Sequence, residues 1–222
     1  MALAAGPLGT GLLYCAAFMF TGIVKSIGTI AAWGPGVETR RLTVATDLPV
    51  EGLPLGASLA VDGVCLTVVE RAVGRFSADV GPETLACTTL GSRPLGSRVH
   101  LEPPLAVGDA LGGHIVTGHV DGVGVIAAAR SRGDALELEV DVPPALARFL
   151  APKGSVAVDG VSLTVNTVQG NRFGVTLIPH TLSVTLLGER AVGARVNLEA
   201  DVIAKHVDRL VSPYVRAAGV TS

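Results

Sequence analysis

The chain has 222 residues, of which 49% are hydrophobic and 4% aromatic, and a formal net charge of −2. That is enough apolar mass for two small cores, and it leaves no broad basic field, so nucleic acid is excluded as a partner. The three cysteines, Cys15, Cys65 and Cys87, are odd in number and in no metal-ligand spacing, so they read as reduced cytoplasmic thiols rather than a disulfide framework or a metal set.

Residues 1–18 are rich in Ala, Leu and Gly and carry no Lys or Arg, so they lack the charged start of a signal peptide. Pro7 and several glycines interrupt them, and they are too short to span a bilayer, so no membrane association is expected. They are expected to be a disordered extension, with Met19 a second candidate start. From Met19 the chain reads as many short strands joined by Gly-rich turns, the pattern of all-β barrels or sandwiches. Strands are expected around 20–33 and 37–47, separated by Gly34-Pro35-Gly36. A hairpin is expected over 58–70 and a strand near 75–80, followed by a short helix from Glu83 to Leu90 that ends at Gly91. Arg98–Glu102 closes this half, stopped by Pro103-Pro104.

The hairpin is the most informative stretch. Asp62-Gly63 stands between alternating apolar residues, and both positions favour the positive φ of a two-residue turn. With that turn, Ser58 faces Thr67, Ala60 faces Cys65 and Val61 faces Val64. Val64, Leu66 and Val68 then share a core face, while Ser58, Ala60, Cys65 and Thr67 share the other. That second face is either a solvated strand surface or a small, lightly polar wall for a flat polar ring.

Val156–Val165 repeats Leu59–Val68 with Ser162 at the position of Cys65. The echo extends to Thr21-Gly22 and Val24 against Thr117-Gly118 and Val120, to Pro82, Thr84 and Leu85 against Pro179, Thr181 and Leu182, and to the segments ending at Glu102 and Glu199. Such self-similarity marks an internal duplication. It divides the chain into 19–115, 116–200 and a tail 201–222, and it favours the wall reading, because the polar pattern is duplicated with the fold.

The junction, Gly112–Gly122, is expected to be both linker and first strand of the second copy. His114 and His119 fall on opposite faces of an extended strand, and no Cys or carboxylate completes a tetrahedral set, so no metal is expected. Each His is by itself a weak site candidate. Pro143–Leu150 reads as a short helix. Lys153 precedes the second hairpin, where the first copy is read as having Leu55. It is either a surface charge or a contact for an anion or carbonyl at the mouth of the wall. From Asp201 onward, Ile203, Val207, Leu210, Val211 and Tyr214 recur with helical spacing, with Asp201 suited to cap the helix or act as a first-turn acid. This helix has no counterpart after the first copy. Its apolar face either packs back on its own chain or joins a cyclic oligomer.

Met19-Phe-Thr-Gly-Ile-Val24, Gly-Val-Cys-Leu-Thr around Cys65, Gly113–Gly122, Gly-Val-Ser-Leu-Thr around Ser162, and Ile178-Pro-His-Thr181 resemble the tandem-barrel riboflavin synthase family over nearly the whole chain after residue 18. The resemblance implies two tandem six-stranded Greek-key barrels plus a C-terminal α-helix. It implies a transferase that moves a four-carbon unit between two molecules of 6,7-dimethyl-8-ribityllumazine, giving riboflavin and 5-amino-6-(ribitylamino)uracil without a cofactor or metal. It also implies a homotrimer with the site between subunits, and association with lumazine synthase.

Carried over by the same resemblance, the first site uses Gly22, Ile23, Val24, Ser58, Cys65, Leu66, Thr67, Asp79, Val80, Gly81, Pro82, Glu83 and Thr84. The second uses Gly118, His119, Val120, Lys153, Ser162, Leu163, Thr164, Thr176, Leu177, Ile178, Pro179, His180 and Thr181. The catalytic candidates are Ser58, Cys65, His119 and Asp201. His119 is the candidate base for an acidic lumazine methyl group, and Ser58 and Cys65 are expected to bind or activate the nucleophile. A covalent role for Cys65 has no support in the sequence. A non-catalytic lumazine or flavin carrier on the same barrels is the alternative function.

Overall fold

The computed structural model describes residues 19–36 and 38–217, so the expected extension lies outside the described residues. Strands β1 (Ser26–Trp33), β2 (Arg40–Thr46), β3 (Ser58–Val61), β4 (Val64–Ala72), β5 (Arg75–Val80) and β6 (Arg98–Glu102) close an antiparallel barrel in the order β1-β2-β5-β4-β3-β6. Strands β7 (Gly122–Arg132), β8 (Ala135–Asp141), β9 (Ser155–Val158), β10 (Val161–Gln169), β11 (Arg172–Leu177) and β12 (Arg195–Ala200) repeat that order in a second barrel. Closure pairs every strand on both sides and removes the exposed edges that short strands would otherwise present. Short helices α1 (Pro82–Cys87) and α3 (Pro179–Val184) follow the fifth strand of each barrel, each opened by a proline at its first position, where no amide donor is needed. Helix α2 (Pro144–Ala147) and helix α4 (Val202–Ala217) complete the fold.

The hairpin registers follow from the two Asp-Gly turns. Asp62 and Gly63 take φ of 45° and 76°, and Asp159 and Gly160 take 46° and 78°. Ser58 pairs with Thr67, Ala60 with Cys65 and Val61 with Val64, and the second copy repeats this down to Ser155 opposite Thr164. Leu59, Val61, Val64, Leu66 and Val68 fill one barrel together with Phe76, while Val156, Val158, Val161, Leu163 and Val165 fill the other together with Phe173. Each barrel thus has its own core.

The first strand starts later than expected. The strand begins at Ser26, and beyond the Lys25 amide, which still donates to Leu101, the preceding residues leave their own barrel. The same holds for the junction: β7 begins at Gly122, so 112–121 is not a barrel strand. The two leaving segments, here called arms, pair with each other instead through an antiparallel bridge between Phe20 and Val116. Phe20, Val116, Ala60 and Ala157 form a small apolar cluster of their own between the barrels.

A polar seam fixes the two barrels against each other. The Asp-Gly turns meet tip to tip, so closely that a Cβ on Gly63 would lie 2.6 Å from the amide nitrogen of Gly160. Arg93 donates to Asp62 at 2.8 Å and reaches Asp159 at 3.4 Å. Arg190 donates to Asp159 at 2.7 Å and stands 3.7 Å from Asp62. Equivalent positions on β6 and β12 hold His100 and Asn197. The Asn197 side chain donates to the Asp62 carbonyl at 2.8 Å and accepts from the Thr89 amide at 2.7 Å. His100 Nε2 accepts from the Leu186 amide at 2.7 Å, which leaves the ring proton on Nδ1 to donate to the Asp159 carbonyl at 2.8 Å. A neutral imidazole therefore reproduces a carboxamide's donor and acceptor, and burial holds His100 below its usual pKa. Burial, then the charge of Asp159, push Asp62 up to about 7 against the pull of Arg93 and Arg190.

Candidate active site

Each barrel presents an outward wall built on its duplicated hairpin. On the first, Ser58 is buried, Cys65 is half-buried and Thr67 is exposed. On the second, Ser155 and Ser162 are half-buried and Thr164 is exposed. Leu66, Val80, Leu163 and Leu177 point into the barrel cores and offer a ligand only their main chain. The fifth strand and the helix after it frame each wall: Asp79, Gly81, Pro82, Glu83 and Thr84 on the first, Thr176, Ile178, Pro179, His180 and Thr181 on the second, all at least partly exposed.

The arms exchange partners. The Cys65 amide donates to the Gly118 carbonyl at 2.9 Å, and the Ser162 amide donates to the Gly22 carbonyl at 2.8 Å. Gly118–His119–Val120 therefore lies on the first wall, and Gly22–Ile23–Val24 on the second. Val120 packs on the core of the first barrel and Val24 on that of the second. The grouping expected from linear order, with each arm serving its own copy, is corrected by this crossing. Its physical reason is the contact itself. Gly22 and Gly118 sit at φ of 74° and 77°, and a Cβ there would lie 2.6 Å from Ser162 Cβ and 2.5 Å from Cys65 Cβ. Only glycine lets the arm descend onto the wall.

The walls differ in chemistry. At the first, burial raises the Cys65 thiol above its ordinary value, the Ser58 hydroxyl beside it pulls the other way, and the Glu199 carboxylate raises it further. Cys65 is therefore a neutral thiol near pH 7, suited to hydrogen bonding rather than attack. Asp79 is gripped by Arg41 through two bonds of 2.8 and 3.1 Å, which hold its pKa below the ordinary carboxylate range, and Arg41 also contacts Glu70. At the second wall, Thr176 stands at the position of Asp79 and accepts from Asn166 at 2.7 Å. The side chain of His119 is exposed beside the first wall, whereas Ile23 occupies the same place beside the second.

Lys153 is exposed at φ 70°. Its amide donates to the Val165 carbonyl, as the Gly56 amide does to Val68, so its counterpart is Gly56 at φ 87°, not Leu55. A lysine held where the first copy has a left-handed glycine costs about 1–2 kcal/mol. Asp201 caps α4, its side chain accepting from the Ile203 amide at 2.9 Å.

Sequence reasoning left His114 unassigned. It is buried, its Nδ1 lies 2.7 Å from Ser162 Oγ, and its Nε2 has no protein partner. Burial lowers its pKa and the charge of Asp201 raises it. His119 lies at the other wall, so the two histidines do not share a ligand. Among the described residues, no group of three or more His, Cys, Asp or Glu is placed to hold a metal. The seam residues Arg93, Arg190, His100 and Asn197 were also missed. Their signal was available, because Arg93 and Arg190 occupy the same position of the two repeats.

Duplicated closed barrels with exchanged arms and paired outward walls define a protein with two related candidate surfaces per chain. The lumazine binding domain model matches residues 21–103 and again 117–201, and the chain belongs to that family. It is 46% identical over 205 residues to a riboflavin synthase of Mycobacterium bovis, covering 90% of this chain and 100% of that one. It is 39% identical to a riboflavin synthase of Bacillus subtilis, covering 87% and 90%. Among solved structures, it is similar to LumP complexed with riboflavin, with a TM-score of 0.74, 26% identity, and coverage of 82% of this chain and 99% of that one. LumP complexed with 6,7-dimethyl-8-(1'-D-ribityl) lumazine shares the fold at a TM-score of 0.73 and 24% identity.

Proposed function

We infer that this chain catalyses the reaction of the riboflavin synthases, a dismutation of two 6,7-dimethyl-8-ribityllumazine molecules into riboflavin and 5-amino-6-(ribitylamino)uracil. One observation carries the reading: the chain holds two walls of the same shape and unequal chemistry. A reaction between identical molecules needs one to give and one to receive, and similar seats with different polar groups provide that distinction. Holding both in register replaces a bimolecular encounter, an advantage on the order of 10⁵ M in effective concentration. The enzyme is then a four-carbon transferase.

Residue roles follow from the placement. His119, exposed beside the first wall, is the candidate base for the acidic methyl group. Ser58 and the neutral Cys65 thiol position the nucleophile that adds to the partner ring. Lys153 and Thr176 present a cation and a hydroxyl at the second wall, where the first presents Gly56 and Asp79. Asp201 serves through its charge on His114 as well as through the helix cap. Incubation of the protein with the lumazine alone tests the reading. Riboflavin fluorescence should grow with one equivalent of the uracil product per riboflavin. Tight binding without turnover would instead establish the non-catalytic lumazine or flavin carrier on the same barrels.

The proposal extends to a homotrimer. One side of α4 packs on its own chain through Arg148, which donates to Asp208 and Ser212. Ile203, Val207, Leu210 and Tyr214 remain exposed along the other, beside a groove of about 790 Å³ lined by Phe149, Val207, Val211 and Val215. A stripe of four large apolar side chains is suited to a second copy. Both walls lie on the outside of the barrels, where a neighbouring protomer can bring one against the other. Leu210→Asp should dissociate the assembly in sedimentation and abolish turnover with it. No helix among the described residues is long and apolar enough to cross a membrane. Residence in the cytoplasm and association with lumazine synthase complete this reading.

A further inference from the structure

We propose that Glu102 and Glu199 are positioning residues wired across the molecule: each belongs to one barrel and sets the ligand wall of the other. The inference deepens the functional reading above and rests on it for the identity of the walls.

Glu199 ends β12 of the second barrel. Its Oε1 accepts from the Thr117 amide and the Thr117 hydroxyl, both at 2.7 Å, and its Oε2 accepts from the Gly118 amide at 2.9 Å. The Thr117 oxygen in turn accepts from the His119 amide at 3.3 Å. A chain of donors thus runs from a carboxylate of the second barrel to the backbone of His119, which lies on the first wall against Cys65. Glu102 repeats the arrangement from the first barrel. Thr21 donates through its amide and hydroxyl at 2.7 Å each, Gly22 donates at 3.0 Å, and the Ile23 amide donates to Thr21 Oγ1 at 3.2 Å. Gly22 and Ile23 lie on the second wall against Ser162.

Both carboxylates are largely buried, and burial raises both above the ordinary carboxylate range despite the donors. Desolvation is a cost at both positions. The arms themselves are short, lie outside the barrel strands except where the Lys25 and Asp121 amides donate to Leu101 and Leu198, and press Gly22 and Gly118 on the opposite walls. Beside the Phe20–Val116 bridge, three donors on one carboxylate anchor the Thr-Gly of each arm, and hydrogen bonds to a charged group are the strong kind. The geometry makes each wall a composite: its floor is its own hairpin, and its rim is tethered to the other barrel.

Hydrogen–deuterium exchange on the full-length protein tests this at two amides, Cys65 and Ser162, whose acceptors are the arm carbonyls. Glu199→Gln should speed exchange at Cys65 by about tenfold or more and leave Ser162 protected. Glu102→Gln should do the reverse. Riboflavin, added to the unsubstituted protein, should protect both hairpins. In Glu199→Gln it should fail to protect the Cys65 hairpin at a concentration that still protects that of Ser162. Glutamine keeps the volume and one acceptor oxygen, so the fold is retained where alanine could lose it. Exchange that rises at both amides, at neither, or in the glutamate's own barrel overturns the proposal, because a purely structural carboxylate loosens its own surroundings first. A crossed pattern with neither hairpin protected by riboflavin in the unsubstituted protein upholds the tether and overturns the reading of the walls.

Discussion

The seam between the barrels and the walls on their outer faces were copied by the same duplication, and they have diverged to different degrees. At the seam, Asp62 and Asp159, Arg93 and Arg190, Gly63 and Gly160 are still identical, and where one position has changed, His100 presents the donor and acceptor of Asn197. At the walls, Cys65 faces Ser162 across the pseudo-symmetry, Asp79 faces Thr176, Ile23 faces His119 and Gly56 faces Lys153. A turn packed on its own twin tolerates little change, because any addition on one side collides with the other. The parts of the walls that the arms leave open, such as Asp79 and Thr176 or Gly56 and Lys153, have no such constraint and have diverged. Function can therefore be sought where the two copies disagree, and architecture where they agree.

The largest expected effect sharpens that contrast. Gly63→Ala places a methyl group 2.6 Å from the Gly160 nitrogen at a positive φ, whereas Gly133→Ala, at φ 63°, meets nothing within 4 Å. Both carry the left-handed cost of about 1 kcal/mol. Only the seam variant adds a backbone collision, and it should lose about 4 kcal/mol or more in denaturant unfolding. Equal losses would show that the turns do not bear on each other in solution.

A second expectation concerns charge at the seam. The folded value of Asp62, about 7, lies above its unfolded value, so the native state binds the proton more tightly between the two. Stability should then be greatest below the ordinary carboxylate range, fall as pH rises from about 4 to about 7, and level off above, by at most about 4 kcal/mol. Asp62→Asn, which mimics the protonated form, should flatten the slope. A slope unchanged in that variant would assign it to other groups, Glu102 and Glu199 foremost.

How much of this was legible in the sequence depends on the range of the interaction. Asp62-Gly63 and Asp159-Gly160 are local signals, and they give the hairpin registers and, with alternation, the split between core and wall. The closing strand Arg98–Glu102 and the tail helix were visible for the same reason. The arm exchange was not. A strand-like segment such as Phe20–Val24 reads the same whether it joins its own barrel or its neighbour's, because β pattern encodes a face and not a partner. The duplicated Thr-Gly before Ile23 and His119 is plain in the sequence, but its partners, Glu102 and Glu199, are distant in the chain. Lys153 stands opposite Gly56 rather than Leu55, a match carried by a shared left-handed φ and amide bond that side-chain pattern does not encode. His114 escaped because its partner, Ser162, is brought to it only by the crossing.

The subtlest prediction separates the two kinds of position at a single residue. Lys153→Gly restores at the second wall the residue that the first wall keeps at Gly56. Relief of a left-handed lysine is worth about 1–2 kcal/mol, and the extra freedom of glycine in the unfolded chain takes back roughly 0.5–1 kcal/mol. Unfolding should therefore show no loss of stability and a gain of up to about 1.5 kcal/mol. Turnover should move the other way, with kcat/KM for the lumazine falling about tenfold, as expected for removing one charged contact. Stability held and activity lost would mean that the lysine is kept against the preference of its own backbone, for the ligand. Activity held as well would return Lys153 to the solvated surface and leave the asymmetry of the walls to Cys65, Ser162 and the exchanged arms.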